Sequence, residues 1–182
     1  MKLRTIILTV ILVVTTGVTT GYAQKNVLKN SIALGYHLTQ NQQDFGIGLD
    51  VTSPYFAAEK VAIRLKGNLM WNQHLTDENI TVWSPYSNVS LGVVGVGGEI
   101  AHMIRLYGEG GTVVLFPSDN FSEKSIVFGG YGLFGFEFLV GTKVNYHIEI
   151  GGIGTGAVAD KVAGKPVYSN GMLINTGFRV YF

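Results

Sequence analysis

Histidines are the residues of this sequence best suited to acid–base or metal chemistry, and there are four: His37, His74, His102 and His147. They fall on four separate segments with no HxxxH or HxH spacing, so spacing gives no support to a metal site. His147 and Glu149 stand two residues apart on one alternating face and could form an acid–base pair. A polar pair packed in an interior is the better reading. Gly95, Gly97 and Gly98 suggest a phosphate loop, but no Lys-Ser/Thr follows and no helix start is evident, so strand packing or a bend is preferred. Cysteine is absent. That excludes disulfides, thiol catalysis, Cys-ligated zinc, Fe–S clusters and a lipid-modified N-terminal Cys. No catalytic, cofactor-binding or metal residue is assigned, and the chain is not expected to be an enzyme.

The elements that would position these groups are strands. In 61–71, Val61, Ile63, Leu65, Gly67, Leu69 and Trp71 share one face, opposite Ala62, Arg64, Lys66, Asn68 and Met70. Period-two sorting of this kind belongs to a two-sided strand. At the end of the sequence Met172, Ile174, Thr176, Phe178, Val180 and Phe182 oppose Leu173, Asn175, Gly177, Arg179 and Tyr181. Extending the count predicts eight strands, at about 31–40, 44–53, 61–73, 86–97, 103–116, 125–140, 144–157 and 171–182. All four prolines, at 54, 85, 117 and 166, then fall in connections, as their missing N–H requires. The connections 74–85, 117–124 and 158–170 are long and polar; 54–60, 98–102 and 141–143 are shorter. Three glycosylation-like sequons, beginning at Asn79, Asn88 and Asn120, read as polar loop sequence.

Charge narrows the class. Of 182 residues only 14% are charged, against roughly a quarter in an ordinary soluble domain, while 47% are hydrophobic and 25 are glycine. A formal charge of +1 offers no clustered basic surface for nucleic acid. Lys2 and Arg4 precede the apolar run 6–14, and small residues end at Gly21-Tyr22-Ala23. Residues 1–23 are therefore expected to be a signal peptide cleaved after Ala23, the run being too short to span a bilayer as a helix. Residues 24–182 form the expected domain, with 11 basic and 12 acidic side chains. No helical span remains there, so a place in a membrane requires a closed barrel.

Alternation alone does not say which face points inward. A soluble lipocalin-like carrier would put the apolar face inside, and a membrane barrel reverses it. The polar faces are too sparsely charged for a solvent surface and are rich in Gly, Asn, Tyr and Ser. Trp71, Trp83, Tyr86, Tyr55, Phe56, Tyr181 and Phe182 fall near strand ends, where interfacial girdles sit. The expected fold is all-β: an eight-stranded antiparallel up-and-down transmembrane β-barrel. Ile63, Leu65, Phe136, Phe138, Ile148 and Phe178 should then face outward.

Together, the signal sequence, the eight strands and the segment Gly177-Phe178-Arg179-Val180-Tyr181-Phe182 resemble the small outer-membrane β-barrel proteins of Gram-negative bacteria. The resemblance implies outer-membrane location, contact with outer-membrane lipid, and an assembly signal at Phe178, Val180 and Phe182 read by the barrel-assembly machinery. An eight-stranded barrel has an interior just filled by side chains, so an envelope-structural, surface-interaction or small hydrophobic-ligand role is expected rather than a diffusion porin, with no cofactor, no nucleic acid and no specified surface partner. A lipid-modifying barrel enzyme is the alternative within the same family. Its deacylase type carries an H-x-S pair, and no histidine here is followed two residues on by serine.

On the faces assigned inward lie Asp50, Glu109, Glu137 and Glu149 and, against them, Arg64, Lys66, Arg105 and Arg179. Four acids balance four bases, as a narrow filled lumen demands. Strand direction places Asp50, Arg64, Arg105, Glu137, Glu149 and Arg179 in the periplasmic half. They are expected to form an ion-pair layer below a more open external mouth.

Overall fold

The computed structural model describes residues 30–75 and 80–182. The expected signal peptide and the sequon residue Asn79 lie outside them. The strands are β1 (Ala33–Asn41), β2 (Asp44–Thr52), β3 (Val61–Leu75), β4 (Thr81–Ile100), β5 (Ile104–Phe116), β6 (Val127–Phe138), β7 (Val144–Gly154), β8 (Ala157–Val158), β9 (Val167–Tyr168) and β10 (Gly171–Tyr181). Eight of them close a barrel in the order β1-β10-β7-β6-β5-β4-β3-β2, while β8 and β9 pair as a small separate hairpin. All barrel pairings are antiparallel, and β10 closes on β1 from Ala33↔Tyr181 to Asn41↔Leu173. Closure leaves no unpaired sheet edge around the wall, the condition for strands in a medium without water.

Side-chain alternation follows the sequence pattern with its apolar face outward. In β1 and β2 buried and exposed residues alternate without a break. Leu49 is 66% exposed, Leu65 49% and Phe178 54%, whereas Arg64, Glu137 and Arg179 are fully buried. Ile63 is also exposed, and Phe136, Phe138 and Ile148 are half-buried. Their partial burial comes from the same outer surface: Phe134 meets Phe136 edge to face at 5.0 Å, and Phe138 and Phe178 flank Tyr146 at 6.0 and 5.3 Å. An apolar exterior around a polar interior is the reverse of a soluble barrel.

The rim that holds both ends of the described chain, where the Phe182 N–H donates to the Ile32 carbonyl at 3.0 Å, has the connections 53–60, 101–103 and 139–143. The opposite rim has the two-residue turn 42–43 and the longer connections 76–80, 117–126 and 155–170. β4 differs most from expectation. It runs from Thr81 to Ile100, so Pro85 lies inside a strand rather than in a connection. Pro85 pairs with Trp71 of β3, but β5 begins its pairing with β4 only at Ser87↔Phe116. At Pro85 the strand is therefore an edge, where a missing N–H leaves no ladder bond unmade. At its other end, a register shift between Val96 and Gly98 forms a bulge, and the strand continues past glycines that read as its end. β7 stops at Gly154 because the chain leaves the wall to build the β8–β9 hairpin.

Candidate functional site in the barrel lumen

The inward faces of six strands converge on one ionic layer. Asp50, Arg64, Arg105, Glu137 and Arg179 each lie within three residues of a strand end at the rim holding the chain ends, and Glu149 lies five residues from the start of β7. Arg64 Nη1 donates to Glu109 Oε2 at 2.5 Å and to Glu149 Oε1 at 3.1 Å, and its Nε donates to Thr52 Oγ1 at 2.7 Å. Arg179 donates through Nε to Asp50 Oδ1 and through Nη2 to Glu149 Oε1, both at 3.2 Å. Lys66 Nζ lies 2.9 Å from Glu109 Oε1 and 3.0 Å from Glu149 Oε2. Arg105 Nη1 donates to Glu137 Oε2 at 3.3 Å. All eight sequence-assigned charges are buried and brought together in this network.

Neutral donors complete it. Tyr107 and Asn175 donate to Glu149 at 2.6 and 2.8 Å, Tyr131 to Glu109 at 2.7 Å, and Tyr181 to Glu137 at 2.5 Å. Glu149 is thus the hub, accepting from Arg64, Arg179, Lys66, Tyr107 and Asn175. The guanidinium of Arg64 also stands 5.2 Å from the centre of the Tyr107 ring, a favourable cation–π distance. Buried charges cost several kcal/mol each unless paired and hydrogen-bonded; every cation of this layer is paired with a carboxylate, although Arg64 Nη2 and Arg179 Nη1 have no hydrogen-bond partner among the described residues. His147 and Glu149 do share the inward face, but Glu149 is committed to its cations rather than to His147.

One grouping was missed by the linear spacing. His37 on β1 and His147 on β7 occupy one cross-strand row, separated only by Gly177 of β10. Without a side chain at Gly177 the two rings meet at 6.3 Å between centroids. Asp50 joins them from β2: one ligand atom from each of His37, Asp50 and His147 lies within 4.8 Å of the other two. The residues are far apart in sequence and become neighbours through barrel closure, so no motif search along the chain could find them.

Above the ionic layer lies a polar cavity of about 20 Å³ lined by Thr39, Asn68, Asn88, Ser90 and Asn175 among others, room for roughly a single water molecule. Above that, the expected open mouth is closed, which corrects the sequence reading. Tyr86, Phe121 and Tyr168 pack edge to face, with centroids 5.0 to 6.2 Å apart. Phe121 comes from the 117–126 connection and Tyr168 from β9, and both are buried. Asp44 anchors this cap, accepting from Tyr86 Oη and the Ser169 N–H at 2.7 Å each and from Asn72 Nδ2 at 3.1 Å. Burial pushes the Tyr168 phenol up to about 12. The two long connections are also tied to each other: the Lys161 N–H donates to the Phe121 carbonyl at 3.1 Å, and the Glu123 N–H to Asp160 Oδ1 at 2.7 Å.

Phe178, Val180 and Phe182 all point outward at the end of β10 or just beyond it, on the strand that seals the barrel against β1.

No protein-family model matches the chain, and no curated protein matches it in sequence. Solved structures do match in fold. The N-terminal β-barrel domain of Pseudomonas aeruginosa OprF superposes with a TM-score of 0.58 at 11% identity, over 85% of this chain and 98% of that one. The outer membrane protein OprG of the same organism gives 0.57 at 14% identity, over 84% and 95%. The Yersinia pestis outer membrane protein Ail, solved in a phospholipid bilayer nanodisc, gives 0.52 at 11% identity, over 84% and 99%. With its closed eight-stranded wall, apolar exterior and polar lumen, the chain has the fold of the small bacterial outer-membrane β-barrels.

Proposed function

We propose that the protein is an integral outer-membrane barrel that conducts no solute and acts at the cell envelope through the surface built by its connections 117–126 and 155–170. The observation that carries this reading is the doubly closed lumen. The charged layer fills one half of the barrel, and the Tyr86–Phe121–Tyr168 cap fills the other mouth. An eight-stranded barrel is just wide enough for its interior side chains, which agrees with the small cavity left between the two. The outward apolar wall supports contact with outer-membrane lipid, and the outward Phe178, Val180 and Phe182 suit recognition by the barrel-assembly machinery. Catalysis is not part of the proposal, since the hub carboxylate Glu149 is held by five donors and carries no free acid–base role.

Conductance across a planar bilayer tests the reading. The reconstituted barrel is expected to give no sustained ion current, and stable single-channel steps would overturn the closed-lumen proposal. Cell fractionation tests the location: extraction should require detergent, and release into aqueous buffer would favour a secreted carrier.

A further inference from the structure

We propose that His37, Asp50 and His147 form a divalent transition-metal site inside the barrel. Two imidazoles and one carboxylate are a ligand set suited to zinc and to the neighbouring first-row ions, with further coordination positions left for water. The three side chains come from β1, β2 and β7, and their candidate ligand atoms already lie within 4.8 Å of one another. Ligands bound to zinc at about 2.0–2.2 Å stand roughly 3.3–3.6 Å apart in a tetrahedron. Small side-chain rotations therefore close the set around an ion.

Three of the buried polar atoms left without a hydrogen-bond partner lie in this group. His147 is fully buried, and neither ring nitrogen has a hydrogen-bond partner among the described residues. Asp50 Oδ2 is likewise without one, although Arg179 holds Oδ1 at 3.2 Å. Buried polar groups in folded proteins are paired with few exceptions, and each orphan costs about 1–3 kcal/mol. A bound cation would engage the imidazole and the free carboxylate oxygen at once. His37 is oriented for this by its neighbour: its Nε2 lies 2.8 Å from Asn68 Oδ1, which leaves Nδ1 on the Asp50 side at 3.5 Å from Oδ2. Fixing one ring nitrogen so that the other faces a metal is the usual outer-shell arrangement at histidine ligands.

The backbone makes room for the group. A Cβ at Gly177, between the two histidines, would collide with His37 and the Tyr36 carbonyl, and one at Gly35 would strike the Asp50 carboxylate. Charge is accommodated as well. Glu137 is the cross-strand partner of His147, and Glu149 follows it by two residues on the same face, so two carboxylates stand beside the cation. Arg179 and Arg64 are the opposing charges, both within reach of Asp50.

The test uses the untagged full chain folded in detergent in the presence of Zn²⁺ or Co²⁺, so that entry into the closed lumen is not limiting, followed by desalting and elemental analysis. The expected result is retention of roughly one ion per chain with a raised thermal midpoint. Co²⁺ should give visible d–d absorption of low-symmetry nitrogen and oxygen coordination. His147→Gln and His37→Gln should each lower retention by at least about tenfold, while both variants fold in chelator. His102→Ala, altering an exposed histidine, should retain the ion. Wild type that retains no metal would overturn the proposal, as would retention unchanged in both lumenal variants.

Discussion

Asp44 and Ser169 are 125 residues apart in the chain, yet the Ser169 N–H donates to Asp44 Oδ2 at 2.7 Å. This bond fastens the connection 155–170 across the mouth of the barrel. Because Tyr86 Oη donates to the same oxygen at 2.7 Å, one carboxylate positions both the wall and the cap. Asp44→Ala would leave a buried phenol, an amide side chain and a backbone N–H unpaired. Each lost bond to a charged group is worth about 1.5–3 kcal/mol. The expected outcome is rapid proteolytic cleavage within 155–170 with the barrel strands intact, measured by limited proteolysis and mass mapping. Cleavage no faster than in the wild type would remove Asp44 as the anchor.

A second expectation concerns the ionic layer. Arg179 is fully buried and contacts Asp50, Glu137 and Glu149. Replacing it with Leu removes one cation from a balanced set and strands carboxylates in the lumen. Breaking a buried pair from one side costs about 3–5 kcal/mol. Heat-dependent mobility on semi-native gels reads this directly, and the Arg179→Leu barrel should unfold at a lower temperature or lower urea concentration. An unchanged midpoint would mean that water solvates the layer.

The fold was legible because period two is a direct imprint of a two-faced wall, and low charge on the polar face told which way it turned. The eight lumenal charges were legible for the same reason: strand parity puts Asp50, Arg64 and Arg179 on the inward side whatever the pairing. Their partners were not. Which carboxylate meets which cation depends on the tilt and register of a closed barrel, and neither is written in local alternation. His37 and His147 meet only because β10 closes on β1. Phe121 and Tyr168 sit in connections, where side-chain direction has no period, so polar composition there hid an aromatic cap. Pro85 misled in the opposite direction, since a proline is excluded from a strand only where both sides are paired.

On the outer wall, Leu65 is the informative position. It is 49% exposed and lies between Val51 of β2 and Leu91 of β4, both apolar and outward. Leu65→Arg should disfavour insertion, because Arg near the midplane of a barrel's lipid face costs roughly 2–4 kcal/mol. Folding yield into phospholipid vesicles measures it, with Leu65→Phe as the tolerated control. Equal yield for the Arg variant would place Leu65 away from the bilayer interior.

Acid should loosen the cap before it touches the barrel wall. Asp160 Oδ1 accepts the Glu123 N–H at 2.7 Å, joining the two long connections. That backbone hydrogen bond holds the Asp160 carboxyl below the usual range. A group whose folded pKa is depressed adds stability that is present above its unfolded pKa and lost as pH falls through the folded one. The unfolded reference is about 3.9, so the contact should be intact at neutral pH and weaken progressively below about pH 4. Because Asp160 is solvent-facing, the effect is local: the amide of Glu123 should lose hydrogen-exchange protection in acid while amides of β1 and β10 keep theirs. Asp160→Asn still presents a carbonyl acceptor but does not titrate in this range. Protection at Glu123 should then be weaker at neutral pH and flat on acidification, after allowance for the pH dependence of intrinsic exchange. The same acid-dependent loss in the Asn variant would assign the transition to another carboxyl group.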